Sequence, residues 1–378
     1  MIYLVHSLDY ELFGNGSGDV RRDMIEPTNR LLAICNKHNA KVTIMFEAGA
    51  YWAMKRAEEL GTFQIDYSPS REIEAQIQFA VKYGHDVQLH LHPWWIGAAF
   101  QAGRWNLNPN CVRISDLPNG IGSDDDVFSV IGVLSRGKRT LEGMICPSRP
   151  DYKCLVYRAG AFCGQPSKDL ILGMKKAGLA ADSSVVKGLY EKLPVTTDYR
   201  QAESTTQYWW TSEDDISQAG IKGEHIIEFQ VCSEMQPYLY NFKWTKLHTS
   251  IKRKLVERAN THGYGMTQAR FSSMPVGRIL RELFTMYPFK YDFCKLGYGD
   301  MIRRLKRLIS DDQKTANGFG TPVVMIGHSK DFWNDRNLDK FLGFINDNHK
   351  EKVCFSTLGD LTRMIINRDI QSDNTQTR

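Results

Sequence analysis

Residues 2–11 of this 378-residue chain, IYLVHSLDYE, begin the fold and set the pattern that the later segments repeat. The mostly apolar run 2–8 predicts a buried β-strand, and acidic residues follow where that strand ends. Side chains two positions apart on a strand share a face, so Asp9 and Glu11 should point the same way. Two carboxylates at a strand end can serve as general base and metal ligand, although a carboxylate there can also cap the next helix.

Short apolar runs alternate with longer amphipathic ones along the rest of the chain. Strand–helix alternation at this spacing predicts parallel strands joined by helical crossovers. The further predicted strands are 41–46, 86–91, 154–157, 179–184, 226–231, 322–326 and 353–355, and the predicted helices are 27–38, 71–83, 124–145, 166–176 and 338–346.

Two segments interrupt this alternation within a single domain over residues 1–368. Residues 96–122 are rich in Gly, Asn and Pro and predict a long loop. Residues 233–316 are basic, with aromatic side chains at 238–244, and predict an inserted, mainly helical subdomain. Residues 369–378 predict a polar tail.

The composition is that of an ordinary globular protein, with 42% apolar and 24% charged residues. It excludes a coiled coil, a collagen and a disordered chain. The eight cysteines are scattered without a C-x-x-C pair, so we expect free thiols rather than a zinc knuckle or a redox motif. The first residues lack the parts of a secretory signal, and we expect a cytoplasmic protein.

The net charge of +5 is unevenly distributed, because residues 243–307 hold fifteen Lys or Arg against four Asp or Glu. This excess could steer an anionic partner or let the segment contact a membrane surface peripherally. A solvated helical surface explains it as well. We expect no nucleic acid among the partners.

The segment HDVQLHLHPWW, residues 85–95, carries the next group of polar side chains. His90 and His92 share one face of a predicted strand, and two imidazoles on one face are suited to zinc or a similar divalent metal. Trp94 and Trp95 could then form an apolar wall or a sugar-stacking platform beside the metal. Packing in the core is an equally good interpretation of both indoles.

Three further strand ends carry polar residues. In YRAGAF, residues 157–162, Arg158 could hold a carboxylate ionised, and Gly160 would permit a tight turn. ADSSV at 181–185 offers Asp182, and VMIGHSKDF at 324–332 offers His328 as a general acid that Asp182 could orient. The carboxyl ends of parallel strands converge on one face of an α/β barrel, so these groups predict one site.

Taken in order, SLDYELFG, GHDVQLHLHP, YRAGAF, DSSV and IGHSK resemble the five motifs of the polysaccharide deacetylase (NodB-like) family of carbohydrate esterases. The nearest resemblance is to deacetylase-like proteins of lipopolysaccharide and surface-glycan biosynthesis. The resemblance implies an α/β fold, a distorted parallel β/α barrel of about seven strands. Two positions depart from the family pattern: the second acid is Glu11 rather than an adjacent aspartate, and Trp94 stands where a histidine is usual.

The resemblance also implies a mechanism. A divalent metal, zinc or else cobalt, nickel or manganese, would be held by His90 and His92 with Glu11 or Asp9. Asp9, held by Arg158, would take a proton from water, and His328, supported by Asp182, would protonate the leaving amine. The substrate-binding residues would be Trp94, Trp95, Gly160 and Phe162.

The implied reaction is deacetylation of an amino sugar in a carbohydrate, a nucleotide-sugar or a lipid-linked glycan. Two alternatives remain open at this point. One is an amidohydrolase that acts on a non-sugar linear or cyclic amide. The other is a catalytically inactive barrel that binds a glycan or a lipid.

Overall fold

The computed structural model describes residues 1–63, 65–193, 195–203, 205–242, 283–313 and 319–376. The strands are β1 Ile2–Tyr10, β2 Val42–Glu47, β3 Asp86–Leu91, β4 Ala99–Gln101, β5 Arg104–Asn106, β6 Val156–Ala159, β7 Ala181–Asp182, β8 Tyr190–Glu191, β9 Thr197–Asp198, β10 Tyr208–Trp210, β11 Ile227–Phe229, β12 Ser233–Pro237, β13 Met286–Lys290, β14 Thr321–His328 and β15 Val353–Ser356. The helices are α1 Glu26–Lys37, α2 Ala48–Glu59, α3 Pro69–Lys82, α4 Val130–Ile145, α5 Lys168–Ala177, α6 Tyr298–Asp312, α7 Asp335–Asn348 and α8 Leu358–Gln376.

The main sheet is mostly parallel and nearly closes into a barrel with helices around it. Its strand order is β10–β11–β7–β6–β3–β2–β1–β14, with β15 also pairing with β1. A parallel bridge from Val231, just beyond β11, to Val324 of β14 joins the two ends. The distorted β/α barrel expected from the sequence is therefore confirmed.

The barrel interior follows the period of two that strands impose. Toward the amino ends of the strands the interior holds an apolar cluster, which helix α8 closes with Leu358, Leu361 and Ile365. Farther along, the inward-facing positions become polar: Ser7 is followed by Asp9, and Val156 is followed by Arg158. Asp9 and Arg158 therefore lie at the carboxyl ends of the strands, while Thr43 and Asp86 at the amino ends accept hydrogen bonds from the first residues of helix α8.

Several elements differ from the sequence prediction. Helix α2 follows β2 directly and was not predicted, because its alternation of Ala, Gly and aromatic residues lacks a strong apolar stripe. Helix α4 begins at Val130 after the cap Ser129, not at residue 124. Phe79 of helix α3, within the predicted helix 71–83, is 44% exposed and packs on Tyr83 at the surface.

The segments expected to interrupt the barrel are described in part. Residues 96–122 contain the short hairpin β4–β5, and residues 233–316 contribute the antiparallel pair β12–β13 and helix α6. Residues 243–282 and 314–318 lie outside the described residues, and with them Trp244 and most of the basic segment 243–307. Helix α8 includes most of the expected tail, and the proposed division into domains stays a prediction.

None of the helices in the described ranges combines the length and the apolar character that a membrane crossing requires.

A buried histidine on β1 gives a prediction about acid stability. His6 is fully buried between the rings of Phe293 and Phe355, and burial lowers its pKa to about 4 from 6.5. Because the unfolded chain takes up the proton first, this group makes folding stability fall as the pH drops from 6.5 to 4. We expect His6→Leu to remove up to about 3 kcal/mol of that pH-dependent loss.

The measurement is urea unfolding at pH values from 4 to 7. His225→Ala, at a histidine far from β1 in the sequence, is the control and should keep the wild-type slope. An unchanged slope in His6→Leu would contradict the assignment.

Candidate metal centre and its surroundings

Five inward-facing side chains meet where strands β1, β2 and β3 end. Asp9 and Glu11 come from β1 and the residue after it, Glu47 is the last residue of β2, and His90 and His92 come from the end of β3. All five are at most 7% exposed. The parallel register brings them together, since Glu47 pairs with His90 and Asp9 pairs with Met45.

Four of these side chains form a group that could hold a metal ion: Glu11, Glu47, His90 and His92. One ligand atom from each lies within 4.8 Å of the others. Glu11 Oε2 is 3.2 Å from both His90 Nε2 and His92 Nδ1, and Glu47 Oε2 is 2.6 Å from His92 Nδ1 and 4.0 Å from His90 Nε2. Ligand atoms around a four-coordinate ion with bonds of about 2.1 Å lie about 3.4 Å apart. The group therefore has the donors and the spacing that suit a divalent cation.

His90 is oriented for this role by the backbone. Its Nδ1 lies 3.0 Å from the carbonyl oxygen of Arg158. A carbonyl only accepts, so Nδ1 carries a proton and Nε2 faces Glu11, as is usual for a metal-binding imidazole. Burial would lower the pKa of His90, but the charges of Asp9 and Glu11 outweigh it and raise the pKa to about 9. A bound cation would have to displace that proton from Nε2.

Asp9 lies beside this group but is held by other partners. Arg158, which is completely buried, donates from Nη1 to Asp9 Oδ1 at 2.6 Å. The other carboxylate oxygen, Oδ2, is 3.5 Å from Nε2 of His328. Burial alone would raise the pKa of Asp9, but the charge of Arg158 and of the nearby imidazoles brings it below its ordinary value. Asp9 is thus an ionised carboxylate between a guanidinium and an imidazole.

Glu11 is shared between the metal group and Lys330. Lys330 Nζ donates to Glu11 Oε1 at 2.7 Å and to the carbonyl of Leu12 at 2.9 Å. Burial would raise the pKa of Glu11, but Lys330 and the two histidines hold it well below its ordinary value. Oε2 therefore remains ionised and faces the histidines.

Gly160 has a different role from the one expected. A Cβ at this position would lie 2.3–2.5 Å from the ring of His92, so glycine is required for close approach to the imidazole. The positive φ angles belong instead to the next two residues, Ala161 at 52° and Phe162 at 59°. Such conformations in residues other than glycine persist where the surroundings impose them.

The two tryptophans differ in position. Trp94 is partly buried and stacks on His92, with ring centres 4.2 Å apart. Trp95 is only 4% exposed and packs edge-on against Trp105. Trp95 therefore packs in the core, in agreement with the packing interpretation, and its role as a sugar platform stays a prediction. Trp94 holds one side of His92.

Asp182 does not take the position expected of it. Its carboxylate accepts from the backbone N–H and the hydroxyl of Ser184 at 2.9 and 2.8 Å, and it adjoins Glu228. Burial and the charge of Asp182 raise the pKa of Glu228 well above its ordinary value. Among the described contacts of His328, the nearest carboxylate is that of Asp9, and the predicted support by Asp182 is absent there.

Glu47 and Lys330 are the residues that the sequence analysis missed. Glu47 follows the apolar run VTIMF, so the same strand-end rule that indicated Asp9 applies to it. It also caps helix α2, accepting from the N–H of Gly49 at 3.0 Å, which is the ordinary explanation for an acid in that place. Lys330 follows His328 by two residues, and the sequence offers no signal that it pairs with Glu11.

No known protein family matches the chain by sequence, and no curated protein matches it. Among solved structures, the chain is similar to a protein described as a polysaccharide deacetylase from Mycobacterium smegmatis, with 12% identity, TM-score 0.44, and 97% of this chain and 91% of that chain covered. It is also similar to a glycoside hydrolase family 57 branching enzyme from Thermococcus kodakaraensis, with 13% identity, TM-score 0.47, and coverage of 96% and 70%. Puue allantoinase matches with 11% identity, TM-score 0.42, and coverage of 96% and 88%. These three proteins have different activities but similar TM-scores, so the similarity does not identify the activity of this chain.

The four candidate ligands predict which substitutions weaken cation binding. Both His90→Ala and Glu47→Gln remove one donor of four, and we expect each to lower affinity for zinc or cobalt at least tenfold. Affinity should also fall as the pH falls, because protons compete for the imidazoles. Equilibrium dialysis with elemental analysis measures both effects.

His225→Ala, at a histidine outside the group, should retain wild-type affinity. Stoichiometric binding that survives both His90→Ala and Glu47→Gln would place the cation elsewhere.

The variant Gly160→Ala tests whether the close contact between residue 160 and His92 holds the imidazole in place. The added methyl group collides with the imidazole, so His92 must move and cation affinity should fall about tenfold or more. Gly143→Ala on helix α4 is a matched control, since its Cβ meets nothing within 4 Å. If Gly160→Ala binds the cation as wild type does, His92 is not held by this contact.

Proposed function

We propose that this chain is a metal-dependent hydrolase of carbon–nitrogen bonds that removes the acyl group from an N-acylated amino sugar. One observation carries the proposal: an ionised Asp9 and the imidazole of His328 lie directly beside a buried group of four metal-ligand side chains. Amide hydrolysis needs these components, namely a Lewis acid, a base for water and a group that protonates the departing amine.

The cation would be held by Glu11, Glu47, His90 and His92. Mixed imidazole and carboxylate donors suit zinc, and also cobalt, nickel or manganese. When bound, such an ion supplies Lewis acidity, which polarises an amide carbonyl and makes water more acidic. Glu47 supplies the donor that the resemblance would have placed at position 94. The inactive-barrel alternative rested mainly on Trp94 and thereby loses its best support.

Asp9 is suited to take the proton from the attacking water. Arg158 occupies only Oδ1 of Asp9, which leaves Oδ2 facing the site. Because the pKa of Asp9 lies below its ordinary value, it releases an acquired proton readily to a stronger base.

His328 is that base and forms the second half of a proton relay. Its Nε2 is 3.5 Å from Asp9 Oδ2. Burial lowers the pKa of His328 despite the nearby carboxylates, so the resting imidazole is neutral at neutral pH and can accept a proton. It then donates that proton to the leaving amine, which completes cleavage of the C–N bond.

The more specific substrate that we propose is a precursor of a surface glycan, either a nucleotide-sugar or a lipid-linked sugar. It rests on the resemblance of the five motifs to deacetylase-like proteins of lipopolysaccharide biosynthesis. A cytoplasmic location, and a peripheral membrane contact through residues 243–307, belong to the same proposal.

Replacing the two proton-transfer groups separates catalysis from metal binding. We expect Asp9→Asn and His328→Gln each to lower kcat by about 10²–10⁴ while the cation remains bound. The measurement is acetate release from N-acetylglucosamine oligomers and from N-acetylated nucleotide-sugars, together with elemental analysis of each purified variant.

Loss of the cation in Asp9→Asn would instead make Asp9 a ligand. If the wild-type protein, loaded in turn with zinc, cobalt, nickel and manganese, releases no acetate from any of these sugars, the proposed reaction is wrong.

A further inference from the structure

A lysine near Asp9 of the candidate site forms no ion pair with a carboxylate in the part of the chain that the structure describes. Lys290 is the last residue of β13, and the chain directly after it runs alongside β14, where Phe293 N–H donates to the carbonyl of Ile326. Its ammonium group lies 4.3 Å from the centre of the Phe162 ring, on the far side of the barrel mouth. Lys290 thus reaches from the β14 side of the mouth to the β6 side.

The carboxylates that influence Lys290 already have other donors. Asp292 accepts from the backbone N–H of Cys294 at 2.9 Å, and Glu191 accepts from the hydroxyl of Tyr287 at 2.9 Å. Asp9, the third, is held by the buried guanidinium described above. Within the described ranges, no carboxylate forms an ion pair with Lys290.

The other lysines of the mouth are neutralised. Lys330 pairs with Glu11, and Lys295 pairs with Asp331 at 3.1 Å. Burial and the charge of Lys295 lower the pKa of Lys290, as expected for an ammonium group near another cation and without an anion. Lys290 is therefore the cation at this mouth that still lacks a counter-charge among the described residues.

The charge of the loaded site favours an anion at this position. Three carboxylates, one guanidinium and the ammonium of Lys330 leave the site with one net negative charge, which a divalent cation changes to one positive charge. Lys290, whose nearby charges include that of Asp9, adds a second positive charge. A neutral sugar would leave this excess unmatched, whereas an anionic group would satisfy it.

We propose that the substrate is an N-acyl amino sugar that carries an anionic group, a phosphate or a carboxylate, which binds to Lys290 between β13 and Phe162. This proposal rests on the proposed function and adds the charge of the substrate to it. The acyl group lies toward His90 and His92, and the anion lies toward the mouth. Phe162 forms the apolar side of the same subsite, since its ring already contacts the ammonium group.

Binding rather than turnover tests this proposal. Zinc-loaded protein is titrated calorimetrically with N-acetylglucosamine, with N-acetylglucosamine 1-phosphate and with N-acetylmuramic acid, which carries a carboxylate. We expect at least one of the two anionic sugars to bind about tenfold or more tightly than the neutral sugar. Lys290→Met should remove most of that difference and leave the affinity for the neutral sugar unchanged, because one charge-assisted hydrogen bond corresponds to about tenfold or more.

Lys306→Met is the matched control, since Lys306 also lies over a phenylalanine ring, that of Phe344 at 5.6 Å, but on the surface helix α6. It should retain the wild-type preference. Which anionic sugar binds more tightly distinguishes phosphate from carboxylate as the source of the charge.

Three outcomes overturn the proposal: no preference for either anionic sugar, a preference that survives Lys290→Met, or equal weakening of all three sugars in that variant. A different result would show that the hydrolase assignment is wrong. In that case Lys290-dependent preference for an anionic sugar persists, but no acetate is released from it.

Discussion

The ion pair between Arg158 and Asp9 is the constraint on which the interior of this barrel depends. Arg158 is completely buried, and it donates to Asp9, to the hydroxyls of Ser7 and Ser183, and to the carbonyl of Ser183. A charge in a protein interior is tolerated only when it is paired and hydrogen-bonded, and removal of one partner typically costs about 3–5 kcal/mol. The guanidinium therefore fixes three strands around one point and leaves Asp9 ionised at the edge of the candidate metal site.

The position of this pair divides the barrel into two levels. Toward the amino ends of the strands, the interior holds an apolar cluster that helix α8 closes. Above the pair, every inward position that we have assigned to the site comes from the end of a strand. A second buried acidic pair, Asp182 and Glu228, lies on the opposite face of strands β7 and β11, where burial raises the pKa of both carboxyl groups. The two acidic groups differ because histidines accompany only the first.

The two sides of the site carry different side chains, so a substrate would meet different chemical groups on each side. One side is closed by Gly160 and Trp94, both of which lie against the imidazole of His92. The other side carries the lysines of β13 and of the turn after β14. An amide substrate would therefore meet proton-transfer groups near β1 and β14, and positive charge at the mouth.

The sequence by itself determined the alternation of strands and helices, and with it the barrel and the strand ends at which polar residues gather. A period of two along each strand was enough to place Asp9 with Glu11 and His90 with His92, because that period is a property of the backbone. Tertiary structure alone decided that Glu47 joins the metal group while Asp182 turns to Ser184 and Glu228. It also decided that Lys330 pairs with Glu11, while Lys290 has no ion pair with any of the residues described. Those outcomes depend on which strands are neighbours in the closed sheet and on distances between side chains far apart in the sequence, and no local pattern of residues encodes them.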